Sequence, residues 1–189
     1  MRIPRNAHEP IPIGLPSADI RSLAEGAARV MEYKPGTPIA QLIQDRGGRI
    51  AGLFSGDIVE TDADGLIVYD ERDFIAQIKD PFAPARPDMN FELAILVGYL
   101  TLHHHRVRAM HGQETTMVVP YYAKTARQKT CFQEAFHFAI GLLCPRSIFE
   151  SRWHARGGNT HLLSTEFGVP AKHVLQVRDL LMNEGRQAA

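Results

Sequence analysis

The apolar residues of this sequence change their period twice, and that alone narrows the fold. Ile20, Leu23, Ala27, Val30 and Met31 recur at helical spacing behind N-cap candidates at Ser17-Ala18-Asp19, which predicts a helix over 17–31. Pro35-Gly36 breaks it. Thr37 and Pro38 open a second helix with Ile39, Leu42 and Ile43 on one face, and Gly47-Gly48 stops it. Residues 49–54, 65–69 and 74–78 then read as short strands. Turn residues separate them in Ser55-Gly56-Asp57, Asp62-Ala63-Asp64 and Asp70-Glu71-Arg72, a spacing that suits an antiparallel meander. Pro81, Pro84 and Pro87 make a stiff connection into a helix over 90–105. Residues 106–129 carry no clear period, and 115–122 fits a strand or a loop. Helical spacing returns over 129–143 and ends at Pro145. After a polar stretch with Gly157-Gly158 it resumes over 160–166 and 170–184. Helices, a block of strands and helices again is the order of an α+β chain.

At 189 residues the chain can build one domain with its own core, or one domain and a small appendage. Lys+Arg and Asp+Glu both number 21, so no net charge draws it to nucleic acid or a membrane surface. No apolar run approaches the ~20 residues that span a bilayer. Residues 1–16 hold Pro4, Pro10, Pro12 and Pro16 and no apolar signal core. They read as an extended arm, disordered or laid along a partner, and argue against secretion. Cys131 and Cys144 fall thirteen steps apart on one predicted helix. That is roughly 20 Å, too far for a disulfide, so two reduced, buried thiols in a cytoplasmic protein are expected. No P-loop, dinucleotide glycine motif or G-x-S-x-G is present.

Two stretches carry a family resemblance. Residues 91–103 place Phe91, Leu93, Ala94, Gly98, Leu102 and His103 in register with F-T-L-A-H-E-L-G-H-x-x-L-H. Residues 132–145 place Ala135, Phe138, Ala139, Leu142, Leu143 and Pro145 in register with E-x-x-A-N-x-F-A-x-x-L-L-M-P. Both frames belong to the ImmA/IrrE-type zinc metallopeptidases, which the chain resembles over residues 18–183. The resemblance implies a zincin-like metallopeptidase fold. It has N-terminal helices, a small antiparallel sheet, a central helix that once held zinc, and a helical C-terminal part. Active members cleave helix-turn-helix repressors and so switch on phage, mobile-element or stress genes.

The chemistry of that family is absent from its expected positions. A catalytic zinc needs three protein ligands and an open position for water. In His-Glu-x-x-His two imidazoles one helical turn apart bind the metal and the Glu takes the water's proton. Here Ile95 and Tyr99 stand at the histidines, Leu96 at the Glu, and Phe132 at the third ligand. None can do the work: Ile and Phe have no donor, a phenol of pKa ~10 is a poor ligand at neutral pH, and Leu accepts no proton. Replacing the whole set by apolar groups avoids orphaned buried polar atoms and lets the cleft fill as core. No catalytic residue, metal or cofactor is expected.

The remaining polar residues offer less. His103, His104 and His105 resemble a metal site, but consecutive helical residues point to different faces, and imidazoles in a last turn suit the helix dipole. Glu134 and His137, at i and i+3, can pair on one helix face as a general base or as an ordinary polar pair. With His103 they make up a residual polar site. Cys131 and His137, at i and i+6, face apart. Residues 160–183 have helix-turn-helix rhythm, and the family's L-A-x-x-F-x-V-S-x-x-A-V-x-x-R frame extends into them, with Pro170 for the usual Ser. Lys172, His173, Gln176 and Arg178 are candidate contacts to DNA or to a partner. Arg146, Arg152, His154 and Arg156 add charge upstream. The sparse basic face favours packing or protein contact over DNA.

The sequence therefore reads as a Pro-rich arm (1–16), an ImmA/IrrE-like pseudo-peptidase domain (17–145) and a C-terminal helix-turn-helix-like segment (146–189). The expected function is non-catalytic regulation of transcription through a protein partner such as a helix-turn-helix repressor. The alternatives are a DNA-binding regulator using the C-terminal helices, and a metallopeptidase with displaced ligands.

Overall fold

The computed structural model describes residues 6–52 and 64–187, so the expected strand end at 53–54 and the turns at 55–57 and 62–63 lie outside the described residues. The described elements form an α+β structure. In chain order they are β1 (Ala7–His8), α1 (Ser17–Val30), α2 (Ile39–Asp45), β2 (Arg49–Gly52), β3 (Asp64–Asp70) and β4 (Asp73–Ile78). They continue with α3 (Pro87–His111), β5 (Thr116–Pro120), α4 (Ala126–Leu143), α5 (Arg146–Ala155), α6 (Thr160–Phe167) and α7 (Ala171–Gln187). No described helix is long and apolar enough to cross a membrane.

The five strands lie in the order β1-β5-β3-β4-β2. The expected antiparallel meander is only partly present. β3 and β4 form an antiparallel hairpin, with Val68 opposite Phe74, but β2 runs parallel to β4. The reason is which edges are free. One side of β3 is taken by β4 and the other by β5, with Val68 opposite Met117, so only the outer edge of β4 remains for β2. β5 comes from the stretch whose sequence had no clear period.

Behind the sheet the helices stack as layers. α3 packs on β3, β4 and β5 on one side and on α4 on the other, and α4 in turn packs on α1. A helix sandwiched in this way must be apolar most of the way round. Met89, Phe91, Leu93, Ala94, Leu96, Val97, Tyr99 and Leu102 are all buried. Glycine lets these layers approach. A Cβ on Gly98 would sit 2.8 Å from the carbonyl oxygen of Ala135 in α4, and one on Gly141 would sit 2.5 Å from that of Arg21 in α1.

Three helix limits differ from expectation. α3 begins earlier, with Pro87 at its first turn, and runs on to Gly112, whose φ of 102° ends it. α4 begins at Ala126 because Thr125 and Gln128 form a capping box, each side chain accepting from the other's backbone N–H. α5 stands where the sequence read as a polar stretch. Its apolar face is narrow, with Phe149 buried and Trp153 stacked beside it at 6.1 Å.

Residues 6–16 lie on this chain's own body. β1 pairs in parallel with β5 at Thr116 and Met117. The arm's prolines then carry it off the sheet, since a proline cannot donate to a ladder. Ile11 is buried against the core, and the Arg127 and Arg106 side chains donate to the carbonyls of Pro10 and Ile13.

Candidate functional site

α3, α4, α7 and the end of β5 enclose an open groove of about 1080 Å³, and Ile95, Leu96, Tyr99 and Phe132 line it. Leu96 and Tyr99 are buried in its floor. Ile95 is half-buried and Phe132 is 42% exposed, so the groove presents an apolar surface. Its walls are aromatic. Phe136 meets Phe91 edge-on at 5.4 Å, and the ring of His173 stacks on Phe91 at 5.2 Å. These contacts tie α7 to α3 and α4. At the β5 end, burial pushes the Glu92 carboxyl up, opposed by a hydrogen bond with Tyr121 and by the charge of Lys79. The Lys79 ammonium lies 5.6 Å from the centre of the Tyr121 ring. Spacing along the sequence does not report this acid–phenol–amine group, because Glu92 lies on α3 while Lys79 and Tyr121 follow the ends of β4 and β5.

Next to the groove, a turn further along α3, lies a buried polar cluster. His103, Cys131 and Glu134 bring their donor atoms within 4.8 Å of one another. The arm closes it. Glu134 accepts from the backbone N–H of Ile13 at 3.0 Å with one oxygen and from that of Gly14 at 2.7 Å with the other. His103 Nδ1 lies 3.0 Å from the Ile11 carbonyl oxygen and 3.8 Å from Glu134. A carbonyl can only accept, so Nδ1 carries the proton. Burial pushes the His103 pKa down, although the Ile11 carbonyl, Glu134 and the Cys131 backbone act the other way. His103 Nε2 is buried and makes no hydrogen bond of ordinary geometry. Burial, reinforced by Glu134, pushes the Cys131 thiol up to about 12. The phenol of Tyr99, whose ring is 5.4 Å from that of His103, is also raised, by burial first and then by Cys131 and Glu134.

The residual polar site named from sequence is thus half assembled. His103 and Glu134 meet, but His137 does not join them. Its Nδ1 accepts from Arg21 at 2.8 Å, and burial with the Arg21 charge holds its pKa down. The expected Glu134–His137 pair is replaced by the arm's amides on one side and Arg21 on the other. Cys131 joins His103 and Glu134, and its pairing with His103 on another helix is one that spacing along α4 does not report. The three consecutive histidines diverge as expected: His103 and His104 are buried in different surroundings and His105 is exposed. Cys131 and Cys144 are both free and buried.

The C-terminal contact set divides. Lys172, His173 and Gln176 line the groove. Arg178 turns elsewhere, pairing with Asp179 and lying 5.5 Å from the centre of the Trp153 ring. Upstream, Arg152 and Arg156 both pair with Glu166, at 2.9 and 3.2 Å. α6 and α7 are joined through Gly168 in the left-handed region, φ 63°. Asn90 in α3 holds this turn in place, donating to the Gly168 carbonyl and accepting from Ile39 N–H at the start of α2.

No protein-family model matches the chain. No curated protein matches it either.

Proposed function

We propose that this chain is a non-catalytic regulatory protein related to the ImmA/IrrE-type peptidases, with a zincin-like fold. It binds a helix-turn-helix repressor, or another protein partner, without cleaving it. The groove between α3, α4 and α7 carries this reading. The positions that would hold zinc and its general base are Ile95, Leu96, Tyr99 and Phe132; Leu96 and Tyr99 are buried in the groove floor, and Ile95 and Phe132 leave an apolar surface open above them. An apolar groove with polar groups at its margins suits an apolar segment of a partner. The side chains at those four positions, Ile95, Leu96, Tyr99 and Phe132, cannot hold zinc or take a proton from its water. The helix-turn-helix-like segment supports the same reading, because Lys172, His173 and Gln176 contribute a groove wall. Arg152, Arg156 and Arg178 are each paired with a carboxylate, which lowers the charge they can offer to phosphates. The DNA-binding alternative is disfavoured on that ground. A displaced-ligand peptidase is disfavoured because His103, Cys131 and Glu134 lie buried under the arm, away from any substrate.

The test is capture of the full chain's partner from its own cell lysate, with and without nuclease, repeated with Phe132→Asp. A nuclease-resistant, intact protein retained by the wild type and lost by the variant supports the proposal. Nuclease-sensitive DNA would favour the transcription-factor alternative, and a cleaved partner would favour an enzyme.

A further inference from the structure

We infer that His103, Cys131 and Glu134 form a closed site for one zinc-class divalent ion, which locks residues 11–14 of the arm onto α3 and α4. This site is separate from the groove and does not depend on the function proposed for it. Its donors are an imidazole nitrogen, a sulfur and a carboxylate, a set that suits zinc and not the oxygen-seeking magnesium or calcium.

Two observations point to a ligand. First, all three residues are at least nine-tenths buried, with exposures of 0% for His103, 0% for Cys131 and 5% for Glu134. Second, His103 Nε2 makes no hydrogen bond of ordinary geometry in this buried place, while Nδ1 is spent on the Ile11 carbonyl. A buried nitrogen with a free lone pair is costly unless something binds it. An imidazole that donates one nitrogen to a backbone carbonyl and presents the other is the usual arrangement of a metal ligand. Glu134 is steadied in the same way by the amides of Ile13 and Gly14.

The geometry is within reach. One imidazole nitrogen of His103, the Cys131 sulfur and a Glu134 oxygen lie within 4.8 Å of one another, and a tetrahedral ion needs its donors about 3–4 Å apart. Cys131 and Glu134 are i and i+3 on α4, so they share the face that α3 presents His103 to. Without the ion the thiol keeps its proton. On binding, that proton leaves to solvent, the sulfur bonds as thiolate, and the ion's charge offsets the buried anions. Three protein donors leave a fourth position to water, as in zinc enzymes, but here the backbone of the arm covers the site and keeps a substrate from it, so the ion's role is structural.

The test uses the full chain without an affinity tag, stripped with chelator and reloaded with Zn(II) or Co(II) alone. One ion per chain should survive dialysis. Cobalt should give a sulfur-to-metal charge-transfer band that persists in Cys144→Ser. Since Cys131 and Cys144 are the only cysteines, that band must then come from Cys131, even if Cys131→Ser fails to fold. Metal should also slow proteolysis within the arm. Retention well below one ion per chain, or a band lost in Cys144→Ser, would overturn the site. So would binding abolished by His8→Gln or His111→Gln, whose rings stack at 3.8 Å and could hold an adventitious ion.

Discussion

Glu134 spends both carboxylate oxygens on the amides of the arm, and this makes it the residue on which the arm's position turns. In Glu134→Ala those amides lose their acceptor. The expected cost is about 1–3 kcal/mol, read by chemical denaturation, with faster hydrogen exchange confined to Ile13, Gly14 and their neighbours. Unchanged exchange there would contradict the geometry. A second residue sets a pH dependence. Burial and Arg21 hold the His137 pKa below its ordinary 6.5, so the unfolded chain takes up this proton at a higher pH than the folded one. The stability it contributes is complete above the unfolded value and is lost as pH falls through and below it. The acid-side decline should therefore flatten in His137→Gln, which keeps an acceptor for Arg21. At this scale the sequence was a partial guide. His103 and Glu134 could be named because they sit in recognisable frames. Cys131 could not, because its partner lies on another helix and spacing along one chain segment does not report it. The i, i+3 rule for Glu134 and His137 failed because tertiary partners on α1 and the arm outcompeted a local pair.

Elements were legible where a single period dominates. α1 and α2 match their expected spans closely, and in α2 the expected Ile39, Leu42 and Ile43 are the buried face. In α1 the buried face is instead Ile20, Ala24 and Ala28, with the expected Leu23 and Val30 exposed, because α4 packs closely on the small residues. β3 and β4 were equally clear. Strand order was not, because pairing β2 with β4 depends on which edges β5 and β4 leave free, and the sequence of β2 carries no trace of that. α5 was hidden by its polarity, as one buried Phe149 is too little to set a period. Close helix contact is a prediction of this scale. Gly98→Ala and Gly141→Ala each push a methyl against the backbone of a neighbouring helix, so each should cost about 1–3 kcal/mol in denaturant unfolding. Either variant unfolding like the wild type would mean that α4 is less tightly held than its contacts with α3 and α1 indicate.

Across the whole molecule, the apolar character of Ile95, Leu96, Tyr99 and Phe132 and the groove they line belong together. The sequence shows the first directly. It left the second open, because whether apolar residues fill a cleft or line it depends on how far apart the helices stand. Here α7 stands over α3 and α4, with His173 packed on Phe91 and Phe136, and the space between stays open. The same arrangement separates the roles of the C-terminal residues. Lys172→Ala should weaken partner binding, whereas Arg178→Ala, already paired with Asp179, should leave it within about twofold in a titration. The most direct measurement is the affinity of the captured partner for the wild type and for Phe132→Asp, with the partner's mass recorded before and after incubation. The account predicts an unchanged mass and an affinity at least about tenfold weaker in the variant, equivalent to ~1.4 kcal/mol. Equal affinities, or a partner shortened by incubation with the wild type, would contradict it.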